Sequence, residues 1–252
     1  MAEPAATRVR RPDVVAAQRA RPPFGRRAFE PDDPPVRVGT TGTGDDLLLL
    51  AWAESDLARE RRAGARLFAR LGIRGEMRVA NALPGALATP GALLVGDVNE
   101  EIGALDVPLG VVESEAAATA AWELIDRVEV NVLVLDPAGA AMLLGRRPAA
   151  ARPWWQGMVW LRTPAGARPG ATPDDFAGWQ REWLAVPEVS CFAAGTCARG
   201  AFHAHESVTL DVTAGELVVT ARDGDGVAYA PGIPARALAA CACGAGAAVE
   251  LQ

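Results

Sequence analysis

The stretch EAAATAAWELIDRVEVNVLVLDPAGAAMLLG (115–145) decides the fold class of this 252-residue chain. Residues 115–127 repeat apolar side chains at the spacing of an amphipathic helix, and residues 131–136 form an apolar run of strand length. Pro137 is suited to open a second, short helix that ends at Gly145. A buried strand between two helices is typical of an α/β layered domain with a largely parallel sheet.

The same alternation extends toward the N-terminus. We predict a buried strand at LLLLAW (47–52) and strands at MRVANAL (77–83) and VPLGVVE (107–113). Between the first two, Asp56 is placed to cap a helix whose apolar positions keep helical spacing and which ends near Gly72.

Tryptophan spacing leads to a further helix prediction. WWQGMVWLR (154–162) contains a strand, and the TPDD signature that begins at Thr172 predicts the start of a helix. That helix would carry Phe176, Trp179 and Trp183 on one stripe. Such a stripe is more often core packing than a ligand cage.

Three regions differ in composition. Residues 1–37 are rich in Arg and Pro and are predicted to be an extended approach with little structure of its own. Residues 38–188 form the α/β domain. Residues 189–252 are predicted to be a smaller β-rich lobe, because VTLDVTAGELVVTAR (208–222) has the pattern of an antiparallel hairpin.

Charge and composition exclude several classes of protein. The net charge of −6 argues against nucleic-acid binding, although the first 37 residues hold eight arginines. No apolar run reaches the length of a membrane span, and no secretory signal follows the basic N-terminus, so we expect a cytoplasmic protein without a membrane partner. The chain contains no lysine, which excludes Schiff-base chemistry and a Walker-type phosphate site.

Both histidines and three of the four cysteines fall in two short clusters. Cys197, His203, Cys241 and Cys243 offer three thiolates and an imidazole, which is a set suited to tetrahedral Zn²⁺. The alternative is that these are small buried residues close together by chance, since free cysteine is commonly buried. We favour zinc.

The sequence leaves open which of the two histidines would bind the zinc ion. His205 lies two residues after His203 on the same strand face and is the reserve ligand. Cys191, the remaining cysteine, is expected to pack in the core. Four protein ligands close the coordination shell, so the zinc would hold the small lobe together rather than activate water.

The order of the motifs resembles the phenylacetate–CoA ligase branch of the adenylate-forming, AMP-binding enzymes. The resemblance covers about residues 22–246 and is carried by VGTTGTGDD (38–46), residues 55–83 and 107–144, FHAHESVTLDV (202–212), GELVVT (215–220), AYAPGI (228–233) and CACG (241–244). It implies a layered αβ domain of the N-terminal type found in those enzymes, followed by a small β-rich lobe that a zinc ion stabilises. His203 occupies the position of the family's ligand histidine.

The resemblance also implies a nucleotide site. In the family, a Ser/Thr/Gly loop binds the phosphates of ATP through backbone N–H groups and hydroxyls, with magnesium. The corresponding residues here are Gly39, Thr40, Thr41, Gly42 and Thr43. The basic residue that usually follows is replaced by Asp45 and Asp46, which would repel a triphosphate unless Mg²⁺ bridged them.

Other departures bear on activity. Where the resemblance implies a magnesium-binding glutamate after Thr196, the chain has Cys197, and the ribose-binding aspartate is replaced by Ile233. The sequence stops soon after CACG (241–244), so we expect the mobile C-terminal domain, with its adenylation lysine, to be absent. Full two-step adenylation and CoA transfer is therefore not expected.

Three functions remain open. The favoured one is a degenerate ligase-like protein that binds an acyl or aryl ligand, a nucleotide, or a carrier or partner protein, in secondary metabolism. The second is an acyl-activating or acyl-transfer enzyme with a rebuilt site. Its acid/base or metal candidates are Asp45, Asp46, Asp97, Glu100 and Glu101, although GDVNEE (96–101) is more typical of a solvated helix start.

The third function is a structural or interaction subunit, which includes a homo-oligomer. Trp154, Trp155 and Trp160 are its candidate anchors, because aromatic residues beside a proline-rich break are favoured at interfaces. Burial in the core is an equally good explanation of these tryptophans.

Overall fold

A computed structural model describes residues 8–25, 27–84, 90–148, 156–164, 176–222 and 227–252. For residues 90–93 and 138 it describes the backbone but not the side chains. The strands are β1 (Arg8–Arg10), β2 (Pro35–Thr41), β3 (Leu48–Ala53), β4 (Arg78–Ala82), β5 (Leu105–Pro108), β6 (Val132–Leu135), β7 (Gly157–Arg162), β8 (Trp179–Val186), β9 (Ser190–Thr196), β10 (Phe202–Ala204), β11 (Val208–Thr213), β12 (Glu216–Ala221), β13 (Ala228–Ala230), β14 (Ala235–Leu238) and β15 (Ala248–Leu251). The α-helices are α1 (Arg11–Ala20), α2 (Glu54–Leu71), α3 (Pro90–Ile102), α4 (Glu115–Val128) and α5 (Pro137–Gly145).

A nine-stranded sheet forms the centre of the molecule, in the order β14-β15-β10-β9-β8-β7-β6-β4-β5. The strands from β5 to β8 are parallel, and those from β8 to β14 pair antiparallel. The predicted α/β layering with a largely parallel part is confirmed, and so are the helices of the 115–145 stretch. The strand predicted at 107–113 lies instead at Leu105–Pro108, and Gly110 turns the chain away with a φ of 67°.

Helix α2 shows how the sequence determines one layer. Asp56 lies inside the first turn rather than at the cap, since the helix begins at Glu54, and its carboxylate accepts a hydrogen bond of 3.0 Å from the backbone N–H of Ala53. Gly72 ends the helix in the left-handed conformation, as predicted. The apolar face between these ends packs on the sheet.

Two apolar cores cover the two faces of the sheet. The core under α2 and α3 holds three rings, with Trp183 and Phe192 stacked at 5.0 Å between centroids and the edge of Phe68 against both. The core under α4 and α5 contains Trp160, which is 1% exposed. Trp160 is therefore not an interface anchor, while Trp154 and Trp155 lie outside the described residues.

The predicted helix carrying Trp179 and Trp183 is wrong, because both residues belong to β8. A spacing of four residues places two side chains on one face of a helix and also on one face of a strand, where the period is two. The end of β8 is buried on both faces, so no alternation of polar residues marks it as a strand. Thr172, the proposed start of the helix, lies outside the described residues.

The prediction of little structure in residues 1–37 is also wrong. Strand β1 pairs in parallel with β13 and joins a four-stranded sheet, in the order β1-β13-β12-β11, and α1 follows it directly.

The hairpin predicted at 208–222 is confirmed as β11 and β12. Its turn residues Ala214 and Gly215 both have positive φ, as a tight type I′-like turn requires. The nine-stranded sheet continues across the boundary predicted between residues 188 and 189, because β8, which precedes it, pairs with β9, which follows it.

A carboxyl group lies inside the core beneath α2. Glu60 is 5% exposed, and its carboxylate accepts hydrogen bonds from the hydroxyl of Ser190 (3.1 Å) and the backbone N–H of Cys191 (2.9 Å). Burial raises the pKa of Glu60 above its ordinary value, and the two hydrogen bonds only partly oppose this shift.

Glu60→Gln should therefore flatten the pH dependence of stability. A carboxyl group with a raised pKa in the folded state binds its proton more tightly there, so the unfolding free energy falls as pH rises from the ordinary glutamate pKa through the raised one. We expect urea unfolding between pH 5 and pH 8 to show this fall in the wild type and less of it in Glu60→Gln. The exposed control Glu123→Gln should keep the wild-type slope, and equal slopes in all three proteins would contradict the assignment.

Candidate functional site

A Cys/His cluster lies at the junction of two turns. Cys197 follows β9, and its backbone N–H bonds to the carbonyl of Ala201, so the short β9–β10 turn brings His203 back beside it. Cys241 and Cys243 lie in the turn between β14 and β15. Because β15 pairs with β10, the two turns meet at one end of the sheet.

The four potential ligand atoms lie within 4.8 Å of one another. The Sγ atoms of Cys197 and Cys241 are 3.7 Å apart, and the Sγ of Cys243 is 3.2 Å from Nε2 of His203. Tetrahedral zinc with bonds of about 2.3 Å to sulfur requires sulfur atoms about 3.7 Å apart. The donor set and its spacing fit a zinc ion.

The electrostatics of the cluster favour one thiolate before any metal arrives. Burial raises the pKa of Cys197, but hydrogen bonds from the backbone N–H of Arg199, from His203 and from the backbone of Ala201 outweigh it and lower the pKa to about 6. The backbone N–H of Cys243 lowers the pKa of Cys241, yet its thiol neighbours raise it above the ordinary value overall. Cys197 is therefore the first thiol of the pair to ionise, and thiolate is the form that binds metal.

Of the two histidines, His203 lies in the cluster and His205 does not. The Nδ1 atom of His205 is 2.9 Å from the hydroxyl of Ser207, and burial, together with Arg70 and Arg66, lowers the pKa of His205 to about 4. Cys191 is fully buried in the core, as predicted.

The Gly/Thr loop, residues 39–46, connects β2 to β3. Gly39, Thr40 and Thr41 end β2, Gly42 and Thr43 turn the chain, and a 3₁₀ turn at Gly44–Asp46 leads into β3.

An arginine from α1 fills the inner side of this loop. The guanidinium of Arg11 donates to the carbonyls of Thr41 and Asp46, both at 2.7 Å, and to the carboxylate of Asp46 at 2.6 Å. A Cβ on Gly42 would lie 2.2 Å from Nη2 of Arg11, and Gly42 has a φ of 79°. Only glycine therefore fits at position 42 without moving the loop or Arg11.

Two further side chains of α1, Gln18 and Arg19, contact β3 and the loop. The amide of Gln18 donates to the carbonyl of Leu49 and accepts from its N–H, both at 2.8 Å, which extends the ladder of β3. Arg19 donates to the backbone carbonyl of Asp45 at 2.5 Å. The two carboxylates at the end of the loop, Asp45 and Asp46, are thus paired with arginines from α1. The local sequence did not reveal these pairs, because 26 and 35 residues separate the partners.

Arg11 also contacts residues beside a third apolar core, which the nine-stranded and four-stranded sheets share. Its Nη1 donates to the carboxylate of Glu188 at 2.5 Å, and the side chain of Glu188 is 4% exposed. Burial raises the pKa of the Tyr229 hydroxyl, and the neighbouring Glu188 raises it further. Arg11 also interacts with Tyr229, so one guanidinium contacts the loop, the β8–β9 turn and β13.

The remaining acid/base candidates do not converge. Asp97 lies 3.5 Å from Arg37 and 4.0 Å from Arg61, and it belongs with Glu100 and Glu101 to the second half of α3 rather than to a helix start. In the part of the chain that the structure describes, the Cys/His cluster is the one group of three or more potential metal ligands.

The positions at which the resemblance implies carboxylates have other roles here. Cys197 contributes its thiol to the Cys/His cluster, and Ile233 is 5% exposed in the core beside Leu217 and Val219. Neither side chain offers an oxygen ligand for magnesium or ribose.

Solved structures define the class of fold. A 2-hydroxyisobutyryl-CoA ligase, in complex with 2-HIB-AMP and CoA, matches 96% of this chain at 16% identity with a TM-score of 0.79, over 62% of its own length. The N-terminal domain of FACL13 from Mycobacterium tuberculosis matches 94% of the chain at 14% identity (TM-score 0.62, 65% of that chain), and the amide bond synthetase McbA from Marinactinospora thermotolerans matches 90% at 16% (0.56, 50%). No protein-family model and no curated protein matches the chain.

The fold is therefore that of the N-terminal domains of adenylate-forming enzymes. The chain spans 56–62% of the length of the 2-hydroxyisobutyryl-CoA ligase chains that it matches. None of the helices among the described residues is long and apolar enough to cross a membrane.

Proposed function

We propose that this chain is a degenerate relative of the phenylacetate–CoA ligase branch that binds an adenine nucleotide at the Gly/Thr loop and does not carry out two-step acyl activation. The observation that carries this proposal is that two positions lack the carboxylates which the resemblance implies for catalysis. Cys197 contributes its thiol to the Cys/His cluster, and Ile233 is buried in the core. The loop itself keeps the glycines and hydroxyls that suit phosphate binding.

We further propose that Cys197, His203, Cys241 and Cys243 bind one structural zinc ion. The spacing of their ligand atoms supports this assignment. All four positions of a tetrahedral shell would be filled by protein, so the zinc would stabilise the turns that hold it and would activate no water.

Calorimetry with ATP, in the presence and absence of Mg²⁺, tests the nucleotide site on protein whose zinc content has been measured. We expect binding, with no pyrophosphate released when aryl and acyl acids are added. Sustained pyrophosphate release would overturn the assignment as a non-catalytic protein. Absence of ATP binding would overturn the nucleotide site.

Two glycine variants in the loop provide a matched comparison. Gly42→Ala should abolish ATP binding, because its Cβ would displace Arg11 and the carbonyl of Asp46. Gly44→Ala adds the same methyl group at another positive φ, but with no atom within 4 Å, so it should keep most of the affinity. Equal losses in the two variants would show that backbone strain, rather than the shape of the loop around Arg11, controls binding.

A further inference from the structure

Two thiols from separate turns lie side by side in the Cys/His cluster. Cys197 and Cys241 are 44 positions apart in the chain, and their Sγ atoms are 3.7 Å apart. Both are free thiols. The sulfur atoms of a disulfide bond lie about 2 Å apart, so the two Sγ atoms would have to approach each other by less than about 2 Å. The pair is therefore close enough for a disulfide bond to form after a small movement of the side chains.

The backbone keeps these two cysteines together independently of any metal. The N–H of Cys197 donates to the carbonyl of Ala201 at 3.0 Å, and the N–H of Cys241 donates to the carbonyl of Gly246 at 2.8 Å, so each cysteine lies at the base of its turn. The strands that follow the two turns, β10 and β15, pair with each other. An encounter of the two thiols therefore stays within one chain even when the turns loosen.

The other cysteine pairs are less suited to form a bond. One residue separates Cys241 from Cys243, and a bridge between them would close a small, strained ring. The Sγ of Cys243 lies against Nε2 of His203 at 3.2 Å. Cys191 is fully buried in the core, away from the cluster. The geometry favours Cys197 and Cys241.

Access to solvent differs between the two thiols. Cys197 is half-buried, whereas Cys241 is buried. An oxidant that arrives from solvent therefore reaches Cys197 first and leaves Cys241 as the second thiol. Cys243 is exposed, which makes it the competing site of oxidation.

We propose that Cys197 and Cys241 form a reversible disulfide bond when a hydroperoxide oxidises the protein. The bond replaces zinc as the link between the two turns. The inference rests on the proposed zinc site, because each of the two sulfurs binds either the metal or the other sulfur.

The reaction takes two steps, and the hydroperoxide is its oxidant. The thiolate of Cys197 attacks one oxygen of the hydroperoxide, so an S–O bond forms while the O–O bond breaks, and the products are a sulfenic acid and an alcohol, or water from hydrogen peroxide. The thiol of Cys241 then attacks the sulfenic sulfur. The S–S bond forms, the S–O bond breaks, and the hydroxide that leaves takes the thiol proton as water. Two thiols lose two electrons, and the peroxide gains them.

Hydrogen peroxide treatment followed by peptide mapping tests the bond. Cleavage after arginine places Cys197 in residues 182–199 and Cys241 in residues 237–252. Each peptide carries a second cysteine, so Cys191→Ala and Cys243→Ser are the matched controls. We expect the two peptides to be linked in wild type and in both controls, to separate with dithiothreitol, and to stay unlinked in Cys197→Ser and Cys241→Ser.

Metal content and stability provide two further readouts. In protein that contains zinc, a chromogenic chelator should detect one zinc ion released for each link formed. Without metal, the oxidised protein should melt about 5 °C above the reduced protein, because the bond restricts the unfolded chain. A lower melting temperature after oxidation would show that the bond distorts the turns, and this would overturn the proposal.

The zinc site and the disulfide bond fail separately. Protein purified without zinc that still forms the link between Cys197 and Cys241 would refute the zinc site alone. Zinc-containing protein would refute the disulfide bond alone if peroxide released the metal without a link, linked Cys243 instead, or joined two chains.

Discussion

Cys241→Ser should release the proposed zinc ion and unfold the turns at the end of the nine-stranded sheet. The apolar cluster beneath these turns is small, with Ala201, Cys241 and Ala248 as its buried members. So little apolar surface cannot hold the β14–β15 turn by itself, and metal binding worth about 10 kcal/mol in small zinc domains would be the dominant local stabilisation. Loss of one thiolate opens the shell, and the unfolding free energy should fall by several kcal/mol.

The measurements are zinc content per chain and hydrogen exchange of the backbone amides in residues 239–251. Wild-type protein should contain one zinc, Cys241→Ser and His203→Gln much less, and exchange near β15 should accelerate in both variants. Cys191→Ala and His205→Gln are matched controls, because they change the same residue types outside the cluster. Zinc retained in full by both cluster variants, or absent from wild type, would refute the site.

The sequence was informative where local spacing reflects local geometry. Cys197 and His203 flank one short turn, and Cys241 and Cys243 lie in another, so their proximity required only that the two turns meet. The α2 helix and the β11–β12 hairpin were likewise predicted from patterns that span a few residues.

Errors arose where a pattern was ambiguous or where partners lie far apart in the chain. The four-residue spacing of Trp179 and Trp183 fits both helix and strand, and burial on both faces removed the polar alternation that distinguishes them. Arg-rich composition suggested a solvated N-terminus, yet Arg11 and Gln18 contact residues 30 and 31 positions away. Glu60 and Arg162 belong to no motif, and their burial follows from the assembled sheet.

Arg11→Met is expected to destabilise the protein by about 3 kcal/mol, because it leaves Glu188 as a buried charge without its cation. The substitution also removes the hydrogen bonds that hold the carbonyls of Thr41 and Asp46, so the Gly/Thr loop loses its fixed shape. Urea unfolding measures the first effect. Hydrogen exchange of residues 39–48 and ATP calorimetry measure the second.

A second substitution separates the charge from the loop. Glu188→Gln in the Arg11→Met background removes the unpaired carboxylate, so it should recover most of the lost stability while the loop stays mobile and ATP binding stays weak. Arg236→Met is the matched control, since it removes an exposed arginine whose partner Glu250 lies in β15, away from the loop, and such surface pairs contribute little to stability. If the double variant regained ATP affinity together with stability, the carboxylate and not the loop contacts would explain the role of Arg11. If stability returns without affinity, Arg11 positions the loop, and the N-terminal helix is part of the nucleotide site.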